Sequence, residues 1–392
     1  MFRRALYFHN VTVLNPAGPC GHSLRLSGGR ITAIDAPPHK NDHHIDGWGG
    51  LLIPGLINTH DHLELNTFKR LKYRPHYSHS LQWIEDIEAR FETDPDLVEP
   101  RRQELAGRLL VSALKNLLSG VTTVCHHNPL HRPLRAGYPI RVVQKYGFCH
   151  SLFRGEDPQA SYRRTKPADP WIIHLAEGID ASAEAEFDRL DALGLVGPNT
   201  ILVHGVGLTL PQRQRLIQRG GGLIWCPGSN NFLFGRTACV ADLASAGKLA
   251  LGSDSRLSGE FDLLGELQVA HATGQLSPQA LFQTVTTGPT RILRLPDGLG
   301  QLLPGGPADL VLLPPPVETD PYARLFQLNR SELELVMLAG QPLAGSPQMA
   351  PVFDATRTKA ATIRVDGVEK LLPQKLIARL KKAAVSEPGV TL

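Results

Sequence analysis

A chain of 392 residues with 42% hydrophobic content has room for two or three domains, or for one barrel with an accessory module. Its formal net charge is only +4 and the basic residues are scattered, which argues against nucleic-acid and membrane-surface partners. Five well-separated cysteines without a C-x-x-C pair (Cys20, Cys125, Cys149, Cys226, Cys239) fit a reducing cytoplasm better than a disulfide framework. His9 and Asn10 interrupt the first apolar run too early for a signal peptide, and no apolar stretch reaches the ~18 residues of a membrane span.

The first fifty residues read as short strands ("ALYFHNVTVL", "HSLRLSGGRITAID", "HHIDGWGGLLIPG") separated by Pro and Gly turns. From about residue 51, short β-branched runs alternate with amphipathic stretches, the texture of parallel βα units. The expected strands are "LLIPGLINTH", "GVTTVCH", "YGFCHSL", "PWIIHLAE", "TILVHGV", "GGLIWCP" and "LALGSD". Around residue 300 the β texture returns with "LGQLLPGGPADLVLLP" and "ELELVMLAGQPLAG", so the two chain ends are expected to pair in one module. The tail "VEKLLPQKLIARLKKAAV" spaces Leu371, Leu372, Leu376, Ile377 and Leu380 as one face of a surface helix; a membrane or partner helix is the less favoured reading. The expected division is 1–53 and 301–352 for the shared β module, 54–300 for the barrel and 353–392 for an extension.

Polar residues punctuate the carboxyl ends of these strands. His60 and His62 follow the first, His174 sits in "WIIHLAE" with Glu177 three residues on, His204 ends "ILVH", and Asp254 ends "LALGSD". In a parallel barrel all these ends converge on one face. Three neutral imidazoles and a carboxylate are suitable ligands for Zn²⁺ or Fe²⁺. Singly, each has a plain structural reading: a satisfied strand-end histidine, a helix-capping aspartate, a solvated glutamate in a first helical turn. Their joint occurrence is what points to a metal site.

The series "PGLINTHDHLE", "SGVTTV", "IIHLAEG", "ILVHGV", "CPGSNNFLFG", "LALGSDS" and "LLPGGPADLVLL" resembles the successive motifs of the amidohydrolase superfamily. The nearest branch is that of cytosine, guanine and S-adenosylhomocysteine deaminases and triazine hydrolases, and the resemblance covers roughly residues 5–345. It implies a TIM-like (β/α)₈ barrel with a β-sandwich made from both chain ends. By matching motif, His60, His62, His174 and Asp254 would be ligands of one divalent metal, zinc or alternatively iron. Glu177 would be a proton shuttle, and His204 would hydrogen-bond the hydroxide or substrate. No lysine ends a strand-like run between residues 121 and 205, which favours one metal.

The implied reaction is hydrolysis of an amino group from a small nitrogen heterocycle, with water as second substrate. Alternatives are hydrolysis of a cyclic amide, removal of a halide or other substituent from an azine ring, and a catalytically silent scaffold. A divalent metal brings the pKa of water to about 7, and a buried carboxyl can protonate the ring nitrogen. Asp61 points away from its histidine neighbours if the segment is extended, so a supporting role is expected. Candidate substrate contacts are Glu64, Asn66, Trp83, His127, Asn128 and Arg154, while Ser229 and Asn230 are expected to shape their loop through the backbone. Only about 17 residues separate "YGFCHSL" from "PWIIHLAE", too few for helix-strand-helix. The fourth barrel unit is therefore expected to be shortened or missing. A homodimer is compatible with the sequence.

Overall fold

The computed structural model describes residues 4–153 and 155–392. Its centre is a TIM-like α/β barrel of short parallel strands: β1 (Leu56–Asp61), β2 (Val121–His126), β3 (Arg141–Val142), β4 (Gly147–Cys149), β5 (Trp171–Leu175), β6 (Thr200–His204), β7 (Gly222–Trp225) and β8 (Leu249–Leu251). Hydrogen bonding divides these into a three-stranded sheet, β1-β2-β3, and a five-stranded sheet, β8-β7-β6-β5-β4.

Strands β3 and β4 belong to one passage of chain. Arg141 and Val142 pair parallel with Thr123 and Val124, and Gly147–Cys149 pair parallel with Trp171–Ile173. The four residues between cannot hold a crossover helix, which needs at least about 10–12. Among the described residues, seven passages therefore close the wall, the third serving both sheets. The connection from β4 to β5 contains one short helix, Pro158–Arg164, capped by the Asp157 side chain on Ala160 N–H.

The opposite seam, between β8 and β1, has no backbone ladder, and side chains close it. Thr59 Oγ1 donates to Leu251 O at 2.8 Å and Asn58 Oδ1 accepts from Ser253 N at 3.0 Å. Asp254 N also donates to His60 O at 3.1 Å. Gly252 permits this approach, because a Cβ there would lie 2.6 Å from the His60 Cβ.

The chain ends meet in an eleven-stranded sheet. Its central strand, His43–Pro54, pairs parallel with Leu6–Asn15 on one side and antiparallel with Leu310–Leu313 on the other. Alternate residues bury Phe8, Leu24, Leu52, Leu310, Leu312 and Met337 in a core separate from that of the barrel.

The tail differs from its sequence reading. Leu371 and Leu372 lie on a strand, Val368–Pro373, that pairs with Ala360–Val365, and the helix begins only after Pro373, at Gln374–Ala383. Its Leu376, Ile377 and Leu380 are buried, and the helix packs on Leu105–Leu118 of the same chain. No helix among the described residues is long and apolar enough to cross a membrane.

Candidate metal centre and active site

Each strand delivers its polar residue to the same end of the barrel because the strands are parallel. His60 and Asp61 end β1, with His62 next; His174 is the penultimate residue of β5; His204 ends β6; Asp254 follows β8. Three of the turning points carry strained backbone in non-glycine residues: Ala176 (φ 53°), His204 (φ 74°) and Asp254 (φ 52°).

The side chains converge. Nε2 of His174 lies 3.3 Å from Nε2 of both His60 and His62. Asp254 Oδ1 lies 3.9 Å from His60 Nε2 and 3.7 Å from His62 Nε2. A tetrahedral ion with bonds of about 2.0–2.1 Å would hold its ligand atoms roughly 3.3 Å apart, so these four atoms suit a zinc-sized cation. Burial, reinforced by the neighbouring imidazoles, lowers His60 and His174 well below the usual histidine range, which favours the neutral form, the one able to bind a metal. His174 Nδ1 donates to the His150 carbonyl at 2.8 Å, leaving Nε2 with its lone pair toward the cluster.

Asp254 is held from behind. Its Oδ2 accepts from Ser229 Oγ (2.9 Å) and Ser258 Oγ (2.8 Å), and Oδ1 accepts from Ser255 N at 2.7 Å. Burial pushes this carboxyl up, but His62, His204 and these bonds outweigh it and leave it below the usual range. Glu177 is shifted the other way: burial raises it, Asp254 adds to the rise, and His204 opposes it. Glu177 Oε1 lies 3.5 Å from His204 Nε2. On its far side, His204 Nδ1 is 2.9 Å from Asn230 Oδ1 and donates to it, which turns Nε2 toward Glu177. Ser229 and Asn230 thus act through their side chains, a correction to the expected backbone role.

Asp61 anchors a buried polar plug beneath the cluster. It accepts from Asn66 Nδ2 (2.7 Å), Asn116 Nδ2 (2.9 Å) and Lys115 Nζ (3.3 Å). Lys115 also donates to Asn66 Oδ1 at 2.8 Å, Ser253 Oγ at 3.2 Å and Asp254 O at 3.2 Å. This lysine is fully buried on the helix Leu105–Leu118, and sequence reading missed it. Its signal was present: a lysine inside the otherwise apolar face "RLLVSALKNLL".

The substrate-contact candidates separate. Asn66 is committed to Asp61 and Lys115, so its expected role is corrected to a structural one. Trp83 Nε1 donates to Leu71 O and the ring packs against apolar clusters that include Phe68 and Tyr77, a packing role. His127 is buried behind the ligands, its ring 4.2 Å from His174, with Nε2 3.3 Å from Cys149 O. Asn128 Nδ2 stands 3.4 Å from His62 Nδ1 and also donates to Glu64 Oε1. Arg154 lies outside the described residues. Beside Glu177, a small enclosed space is bordered by His79, Ser80, His150 and Phe153. There Glu186 binds His79 Nε2 at 3.0 Å and accepts from Ala176 N, bracing the turn between His174 and Glu177. Neither His79 nor Glu186 was singled out from sequence.

Residues 169–343, which contain His174, Glu177, His204 and Asp254, match the model of the amidohydrolase family. The chain is also 24% identical to an 8-oxoguanine deaminase of Pseudomonas aeruginosa, over 79% of this chain and 84% of that protein. In fold it is similar to a zinc-bound adenosine deaminase from Xanthomonas campestris (TM-score 0.69, 18% identity, 96% and 98% of the two chains). It is likewise similar to an atrazine chlorohydrolase from Arthrobacter aurescens, solved with zinc and atraton (TM-score 0.70, 18% identity, 90% and 99%).

Proposed function

We propose that this chain is an amidohydrolase, a hydrolytic enzyme acting on carbon–nitrogen bonds, and a deaminase that releases ammonia from a small nitrogen heterocycle. One divalent metal, zinc before iron, would be held by His60, His62, His174 and Asp254. The observation that carries this reading is the convergence of three imidazole nitrogens and one carboxylate beside a second carboxyl, Glu177, that burial raises above its usual range. The family match and the 8-oxoguanine deaminase relative support the reaction class. Residues 54–300 would be the catalytic barrel and 1–53 with 301–352 its β module, to whose sheet the expected extension 353–392 adds three strands. A cytoplasmic location fits the unpaired cysteines.

When bound, the metal supplies a Lewis acid that brings the pKa of water to about 7. Asp254, with Oδ2 fixed by two serine hydroxyls, offers Oδ1 to take a proton from the attacking water. Glu177 gives its proton to the ring nitrogen beside the attacked carbon, offsetting the charge that develops there. The new C–O bond then replaces the C–N bond, and a proton relayed through Glu177 leaves with ammonia. With Nδ1 donating to Asn230, His204 Nε2 lies 3.5 Å from Glu177 and would hydrogen-bond the hydroxide or substrate. Asn128, beside His62, is the substrate contact we retain.

The test is metal content together with ammonia release across purines, pyrimidines, pterins and triazines. Ammonia from one of the amino-bearing rings, dependent on Zn²⁺ or Fe²⁺, is the expected result. Release of halide or another substituent instead would transfer the reading to azine-substituent hydrolysis. Metal-free, inactive protein after reconstitution would overturn both.

A further inference from the structure

We propose a second divalent-cation site, formed by Glu64, His126 and His131, next to the first but sharing no ligand with it. Glu64 lies on the 3-10 turn Leu63–Leu65 after β1, His126 is the last residue of β2, and His131 precedes the short helix Arg132–Arg135. One ligand atom from each lies within 4.8 Å of the others.

Two observations point to a ligand there. His126 is fully buried, yet its Nε2 has no hydrogen-bond partner, and the same is true of the buried Glu64 Oε2. These two atoms face each other at 3.4 Å, the spacing of roughly 3.3 Å expected for neighbouring ligands of a tetrahedral ion. Glu64 Oε1 is occupied by Asn128, which turns Oε2 toward His126 and away from His62. His126 Nδ1 lies 3.3 Å from both Asp61 O and Leu63 N, and the tautomer that donates to Asp61 O leaves the Nε2 lone pair toward the carboxylate. In that tautomer a lone pair faces an anionic oxygen in a buried place, which calls for a cation between them, either a proton or a metal.

The third donor separates those two. His131 occupies a helix N-cap position without making a cap bond, and its ring centroid is 6.2 Å from that of His126. It is half-buried, and its ligand atom lies within 4.8 Å of the other two, so a side-chain adjustment would bring it into bonding range and leave the fourth position to water. Two imidazoles and one carboxylate are a donor set for Zn²⁺, Co²⁺ or Mn²⁺. Arg108 also reaches this turn, and its Nη1 donates to the Glu64 carbonyl at 3.1 Å. A metal here would fix the turn that follows His62, whose Nδ1 is linked to Glu64 through Asn128.

The experiment strips the full-length protein with chelator, reloads it with Zn²⁺ or Co²⁺, and counts ions per chain by mass spectrometry of the metal. Wild type is expected to hold two, His131→Ala one, and Asp254→Asn one, lost from the other site. Glu64→Gln provides a second variant if His131→Ala does not fold, as judged by circular dichroism; it too should hold one. A single ion in wild type that Asp254→Asn removes would overturn this site while leaving the proposed function standing. A single ion that His131→Ala removes and Asp254→Asn spares would do the reverse. Two ions in both wild type and His131→Ala would also overturn the proposal.

Discussion

Glu387 accepts from Arg256 Nη1 at 2.9 Å and also from Nη2, joining the C-terminal segment to the loop that begins at Asp254. Arg330 reaches the same carboxylate, and Phe261 lies against both guanidinium groups (4.0 and 4.5 Å to the ring centroid). All three charged groups are buried. Removing the anion leaves Arg256 with only carbonyl partners and Arg330 with Asp366 alone as counter-charge, and breaking such a buried pair typically costs about 3–5 kcal/mol. Glu387→Ala should therefore lower the urea midpoint markedly and loosen metal retention at Asp254. An unchanged midpoint would mean that the pairing contributes nothing.

Glu177→Gln keeps size and polarity but removes a carboxyl whose affinity for its proton burial raises. Ammonia release should fall at least about 100-fold, the lower end for general acid–base catalysis, while metal content stays at the wild-type value. Full turnover in this variant would exclude the shuttle role.

Lys115→Met should destabilise the chain by roughly 3–5 kcal/mol, because Asp61 then keeps a buried charge with only amide partners. The double variant Asp61→Asn/Lys115→Met removes both charges and should recover part of that loss. A double-mutant cycle in chemical denaturation measures the coupling; simple additivity would show that the two residues act independently.

Glu266 is buried where its oxygens face Gly228 N (2.6 Å) and Glu260 N (3.3 Å). Burial pushes its carboxyl up to about 8, with Glu260 contributing and the backbone bonds and Arg70 opposing. A carboxyl raised in the folded state binds its proton more tightly there than in the unfolded chain. Its contribution is therefore fully present below pH about 4.5 and is lost as pH rises toward 8. Between pH 5 and 8 the wild type should lose stability more steeply than Glu266→Gln, by on the order of 3 kcal/mol. Parallel profiles of thermal midpoint against pH would contradict the assignment.

Strand ends were legible from sequence because a parallel barrel sends every βα junction to one face. Runs such as "WIIHLAE" and "LALGSDS" therefore announce both a strand and the polar residue it delivers. The helices Ser80–Ala89 and Ala181–Ala192 were legible for the same local reason, an apolar stripe at helical spacing. The shortage of chain before β5 was equally plain, since a crossover needs a minimum length. How the wall closes was not: Arg141–Cys149 pairs with two different neighbours, and only the three-dimensional path reveals that.

By itself, the sequence determined which residues could bind a cation and act on a proton, because residue type and strand-end position are local properties. Tertiary structure decided the rest. It assigned Lys115 to Asp61, Ser229 to Asp254, Asn230 to His204 and Glu387 to Arg256, over separations of 25 to 131 residues. Those partnerships depend on which buried groups lack water and must find each other, a property of the packed interior that no window of sequence contains.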